Sequence, residues 1–147
     1  MLLVTHAVAG AVVATKINNP IISLPLVFGL HFLMDAVPHW DLGVGFKQRS
    51  KATNFFLALT DGCVGIGLVF WLFQLFRPFN LTPWLGMTVS LLPDFLEAPS
   101  LFLGFQIIPA LDHVHSHLFH RDQKSVFWGL LPQVAIIFFC ILTAQTL

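Results

Sequence analysis

His31 and Asp35 stand four residues apart, so on a helix the imidazole and the carboxylate share one face, and Pro38-His39-Trp40-Asp41 follows directly. That puts four possible metal ligands within a few residues. Further along, Asp112-His113-Val114-His115-Ser116-His117-Leu118-Phe119-His120-Arg121-Asp122 carries His113, His117 and His120 at i, i+4 and i+7, the spacing of one helical face. Asp94 and Glu97 are i, i+3, next to Pro93, whose missing N–H frees a backbone carbonyl. His6 and Asp61 add an imidazole and a carboxylate within other apolar stretches. Neutral imidazoles mixed with carboxylates suit zinc, or manganese and iron where carboxylates dominate, and this many donors is enough for one or two ions. Such an ion acidifies a water for attack on an ester near neutral pH, and a second ion clamps the developing oxyanion.

Each residue also has a plainer reading. His6 or His31 alone would serve equally well as a hydrogen bond between helices. Asp61 could pair with Lys51 or a histidine for structure alone, and Asp41 could cap or neutralise a loop. Asp112 and Asp122 also read as solvated charges beside Arg121 and Lys124. On an α-helix His115 faces away from its neighbours, so an interfacial position is expected for it. Gly62, Gly65 and Gly67 follow no strand and form no nucleotide loop; close helix packing is their expected role.

The elements that must position these groups are set by composition. The chain has 147 residues, 56% hydrophobic and 10% charged, with a mean hydropathy of +0.83, whereas a water-soluble domain carries about 25% charged residues. Much of its surface is therefore expected to face lipid. A spanning helix needs about 20 mostly apolar residues, and four runs approach this: 20–37, 55–76, 81–105 and 126–147. A fifth, 2–15, is short and lengthens if Lys16 snorkels to the interface. Pro93 and Pro99 predict that the third long run kinks or ends near Asp94, leaving 95–106 as a shorter piece. The expected fold class is thus an all-α polytopic membrane protein, one domain over residues 1–147, with about five embedded helices.

With five segments, the loop holding Lys47, Arg49 and Lys51 falls on the same side as the loop holding Arg121 and Lys124, and only Lys16 and Arg77 lie opposite. The positive-inside rule then predicts an inner-membrane, multi-pass protein with a cytoplasmic N-terminus. Trp40, Trp71, Trp84 and Trp128 each fall near a segment end, as headgroup-level rings do. The N-terminus lacks the cationic start of a secretory signal and reads as part of the fold. Cys63 and Cys140 lie in separate apolar runs, without metal spacing, and read as small buried hydrophobes. A formal net charge of zero gives no footprint for nucleic acid.

This topology, drawn from apolar runs and cations alone, sends every carboxylate and imidazole toward the cytoplasmic ends of the helices. Ionisable groups in lipid are costly unless paired, hydrated or bound to metal, and a one-sided layer of them predicts a site level with the headgroups.

Thr5-His6 followed by Gly10, Pro38-His39 after His31 and Asp35, Leu92-Pro93-Asp94, and the His-Ser and His-Arg pairs at His115 and His120 together resemble the predicted membrane-bound, metal-dependent hydrolases, the LexA-binding inner-membrane putative hydrolases. The likeness runs from Thr5 to Arg121. It departs from the family pattern in the order of the His-Ser and His-Arg pairs, in the absence of a glycine after Arg121, and in Phe95-Leu96-Glu97 where Asp-His is usual. The resemblance implies a small polytopic membrane protein with a divalent metal site and hydrolytic activity. A more distant likeness to all-helical zinc phospholipases suggests the substrate class.

The leading expectation is a metal-dependent hydrolase acting on a phosphoester or other ester of a lipid or lipid-linked molecule. Its expected ligands are His6, His31, Asp35, His39, Asp61, Asp94, His113 and His117, with Glu97 or His120 as general base and Arg121 for a phosphate. A divalent-cation carrier or sensor would use the same ligands, but a carrier needs a polar path onward, and only Gln74, Asn80, Thr82 and Thr88 lie on the far side. A non-catalytic scaffold, its histidines and carboxylates paired with one another, is the third reading.

Overall fold

A computed structural model describes residues 1–146, and the described residues are all-helical: α1 (Leu3–Ile17), α2 (Pro20–Asp35), α3 (Lys51–Phe73), α4 (Thr82–Leu103), α5 (Pro109–His113), which runs into a π-helical turn (Val114–Phe119), and α6 (Val126–Ala144). A single 3-10 turn, Phe46–Gln48, interrupts the loop between α2 and α3.

α1 is rich in Ala, Val and Gly, residues small enough to be surrounded on all sides, and most of it is buried. Val4, Ala7, Val8, Ala11 and Val12 pack against Val69, Leu72 and Phe73 of α3, Leu91 of α4 and Ala144 of α6. The closest approach is to α4, where a Cβ added at Gly86 would lie 2.3 Å from the Gly10 carbonyl oxygen. Only glycines on both helices permit that crossing. α1 reverses into α2 through Asn18, in the left-handed conformation at φ 51°, then Asn19 caps the next helix by accepting from the Ile21 N–H, and Pro20 opens it.

The start of α1 has no side-chain cap of its own. Its orphan N–H groups are met from other helices. Asp61 of α3 accepts from Leu3 N at 2.6 Å and from Val4 N at 3.2 Å, and Gln133 of α6 accepts from Leu2 N at 2.9 Å. Both oxygens of Asp61 are therefore engaged in capping. Asp61→Asn is expected to lower the melting temperature by an amount equivalent to about 1 kcal/mol, the usual worth of a cap, while bound metal per chain stays unchanged. Loss of metal in that variant would return Asp61 to the ligands.

α4 corrects one expectation. It continues unbroken through Pro93 and Pro99 and stops at Gly104, which adopts φ 83°. A proline withholds one helical N–H without ending a helix whose other faces stay packed, and the true stop is the residue able to turn left-handed.

α3 and α6 are long and apolar enough to cross a membrane, yet only 17% and 11% of their most apolar stretches are buried within the chain. A core helix of a soluble protein would be mostly covered. Here Phe55, Phe56, Phe70 and Trp71 on α3, with Phe127, Phe138 and Phe139 on α6, face outward, which supports association with lipid.

Candidate metal centre

The chemistry-bearing residues meet around Asp35 in the last turn of α2. Asp35 is fully buried, and five imidazoles converge on its carboxylate. His115 Nε2 lies at 2.9 Å and His31 Nε2 at 3.3 Å from Oδ2, with His120 Nδ1 at 3.8 Å. His6 Nε2 lies at 3.1 Å and His39 Nε2 at 3.8 Å from Oδ1, which the Met1 ammonium also contacts.

These groups sort into two sets that can each hold a divalent cation: His31, Asp35, Asp94 and His115, and beside them His39, Asp41, His120 and Asp122. In the inner set, His31 and His115 are 3.1 Å apart through Nε2, and both sit 3.7 to 3.8 Å from Asp94 Oδ1. With the two distances to Asp35, five donor separations fall between 2.9 and 3.8 Å. A tetrahedral ion with bonds of about 2.0–2.1 Å requires edges of roughly 3.3–3.4 Å, so the set needs only small adjustments to close around one. In the outer set, Asp41 Oδ2 is 3.3 Å from His39 Nε2 and 3.0 Å from His120 Nε2, which is itself 3.1 Å from Asp122 Oδ1.

The surroundings turn the right ring nitrogens inward. His31 Nδ1–H donates to the Ser90 carbonyl at 2.7 Å, and His39 Nδ1–H donates to the Val37 carbonyl at 2.8 Å, which leaves each Nε2 lone pair for the centre. Glu97 Oε2 stands 2.7 Å from His115 Nδ1, the distance of an ion pair although not the alignment of a hydrogen bond. Among the described residues, His39 Nε2 and Asp94 Oδ2 are buried with no hydrogen-bond partner. Orphaned buried polar atoms are rare and call for an explanation; a cation held by the outer set supplies one for His39 Nε2.

Two devices build the outer set. The segment after α2 runs beside the segment after the π turn, with Arg121 N donating to Asp35 O, His39 N to Arg121 O, and Gln123 N to His39 O. α6 then seats against Trp40 at Gly129, whose carbonyl accepts from Trp40 N at 3.1 Å; a Cβ there would lie 2.3 Å from that nitrogen. Gln133 donates to the Trp40 carbonyl at 2.6 Å and ties the same segment to α6.

The remaining expected residues are placed differently. His113 and His117 are exposed and stack on each other with ring centroids 4.8 Å apart, outside both sets. His115, expected at an interface, is buried in the inner set. The cause is the π turn. Residues five apart on an α-helix point about 140° away from each other, but the turn is closed by the His120 N–H donating to the His115 carbonyl at 3.0 Å, the i→i+5 bond of a π-helix, and both imidazoles reach Asp35. Glu97 lies against His115, and the Arg121 side chain is exposed at the rim. His6 stacks on His31 at 4.1 Å. Asp112 is buried, with neither oxygen hydrogen-bonded, and belongs to neither set. Asp41 and Asp122, left open between ligand and loop charge, both stand in the outer set.

Without metal, protons hold the centre together. Burial disfavours the imidazoliums of His115 and His120, but the carboxylates around them outweigh it. Asp35 and Glu97 raise His115 to about 9, and Asp35 and Asp41 raise His120 to about 10. Burial likewise pushes Asp41 up, yet His120 and His39 hold it well below the usual carboxylate range. Histidines raised above their unfolded value of about 6.5 contribute stability that is fully present below that pH and is lost as pH rises through 9 to 10. Chelator-treated protein is therefore expected to melt at progressively lower temperature from pH 6.5 to 10, by the equivalent of a few kcal/mol. Zinc-loaded protein, whose ligands have already released their protons, is expected to show little of that slope; parallel slopes would mean that these histidines do not meet the metal.

Comparison with protein-family models, curated proteins and solved structures finds no match to this chain.

Proposed function

We propose that this protein is a metal-dependent hydrolase of the cytoplasmic membrane, acting on a phosphoester or other ester of a lipid or lipid-linked molecule. The observation that carries the reading is the convergence of five imidazoles and three flanking carboxylates, Asp41, Asp94 and Glu97, on the buried Asp35. The resemblance to membrane-bound metal-dependent hydrolases points the same way. On this reading α1 to α4 and α6 are the five embedded helices, the N-terminus and the loops holding Lys47, Arg49, Lys51, Arg121 and Lys124 are cytoplasmic, and the centre lies at headgroup level.

Zinc fits the mixed imidazole and carboxylate donors best; bound there, it lowers the pKa of water and polarises the ester. The chain's own residues then have distinct tasks. Asp35 anchors the imidazoles. The Ser90 and Val37 carbonyls fix the rings of His31 and His39 by hydrogen bonds, and Glu97 faces His115 Nδ1 at ion-pair distance. This makes Glu97 a positioning residue, and His120, with both ring nitrogens facing carboxylates, a ligand. Arg121, exposed beside His120 and Asp122, offers its guanidinium to a phosphate at the rim. Water is excluded from the inner side by Phe32, which packs edge-on against His31 and His115.

The test is elemental analysis of the purified chain, followed by phospholipid hydrolysis in liposomes with chelator added and zinc restored. Stoichiometric metal, with activity lost on chelation and regained with zinc, is the expected result. Protein that carries no metal, and whose melting ignores chelator, would overturn the reading.

A further inference from the structure

Resting on that reading, we infer that the centre holds two ions sharing Asp35 as a bridge, an inner one kept permanently and an outer one that exchanges with solvent. The two oxygens of Asp35 face different donors. Oδ2 is near the inner imidazoles, 2.9 Å from His115 and 3.3 Å from His31, whereas Oδ1 faces His39 of the outer set at 3.8 Å and His6 at 3.1 Å, and is contacted by the Met1 ammonium, a cation whose place an outer ion would take. The two oxygens of one carboxylate can therefore serve two ions.

Each set is complete without borrowing an imidazole from the other: His31 and His115 within, His39 and His120 without. The outer set also contains a buried ring nitrogen with no hydrogen-bond partner among the described residues, His39 Nε2. An ion in the inner set alone would leave that nitrogen bare.

The sets differ in access. His31, Asp35 and His115 are at most 2% exposed and Asp94 is 20% exposed, whereas the outer set includes His120 at 22% and Asp122 at 54%. A set of buried donors holds its ion until the fold opens locally, while a set with a donor standing in solvent lets its ion exchange. The outer ion also lies on the side of Arg121, which neighbours His120 and Asp122 in the chain. It is the ion that meets substrate, and the inner ion fixes Asp35 beneath it.

The experiment uses the full chain in detergent micelles, stripped of metal and reloaded with zinc alone, with bound zinc counted and its release to excess EDTA followed in time. Two zinc ions per chain are expected, one leaving about tenfold or more slower than the other, the factor for a local opening that costs about 1.4 kcal/mol. Asp122→Ala is expected to hasten or abolish the fast phase and leave the slow one intact; His39→Ala should do the same, and circular dichroism shows whether each variant is folded. Cobalt in place of zinc provides a second readout: two ions joined through one carboxylate are magnetically coupled, and the coupling should vanish in Asp122→Ala. One zinc per chain at saturation, equal release rates, or loss of both ions in folded Asp122→Ala would each overturn the inference. A single catalytic ion would leave the hydrolase reading standing, two unequal ions without hydrolysis would overturn only that reading, and no zinc at all would overturn both.

Discussion

Asp35→Ala is expected to leave the purified protein without stoichiometric metal and to reduce chelator-sensitive hydrolysis by at least about a thousandfold, which corresponds to about 4 kcal/mol of lost transition-state stabilisation. No other residue touches as much of the centre. Its two oxygens face His6, His31, His39, His115 and His120, so truncation removes the anion that offsets positive charge from both sets of donors. Asp35→Asn separates charge from shape: it fills the same volume, keeps one acceptor, and is expected to lose metal almost as completely. Elemental analysis reads both variants, and Asp61→Asn provides the comparison, being the same kind of change at a half-buried carboxylate on the α1 cap. Normal metal content in Asp35→Ala would remove Asp35 from the centre and with it the mechanism proposed above.

Gly86→Val is expected to have the largest effect on the fold. A Cβ at that position would meet the Gly10 carbonyl at 2.3 Å and the Ala14 Cβ at 2.5 Å, and helix backbone cannot swing aside as a flexible side chain can. Overpacking costs about 1–3 kcal/mol even in adaptable cores, and here the cost should reach or pass the upper end of that range. The damage should spread to the centre, because Ser90, one turn further along α4, supplies the carbonyl that sets the His31 tautomer. A fall of about 10- to 100-fold in metal affinity is expected, the usual consequence of losing an outer-shell partner. Gly67→Ala on α3, with nothing within 4 Å of the added carbon, should melt like the unmodified protein. Equal melting temperatures for the two variants would show that the α1–α4 crossing tolerates separation.

Much of the helical frame was legible in the chain because a long, unbroken apolar run declares a helix by its length and content. The run at 20–37 became Pro20–Asp35 and that at 55–76 became Lys51–Phe73. The i, i+4 pair His31 and Asp35 was legible for the same reason, since α-helical periodicity holds through to the end of α2. Around His115 that periodicity failed. A spacing of 3.6 residues favours His113, His117 and His120, but the π turn selects His115 and His120, and sequence does not announce where one extra residue enters a helical turn. The pairing of His39 and Asp41 with His120 and Asp122 was equally hidden, because it depends on backbone bonds between segments some 80 residues apart, such as His39 N to Arg121 O. Asp61 was ambiguous for another reason. A carboxylate in an apolar run looks alike whether it awaits a metal or caps the start of a neighbouring helix.

That borrowed cap also orders events during assembly. α1 precedes α3 and α6 in the chain, yet Asp61 and Gln133 of those later helices meet its opening N–H groups, and Gln133 also ties down the segment bearing His39 and Asp41. Until α6 has been synthesised and docked, the first helix has an unfinished end and the outer donors have nothing to rest on. The inner donors, His31, Asp35, Asp94 and His115, all precede α6 and do not wait for it, so the two sets are completed in order, the inner before the outer.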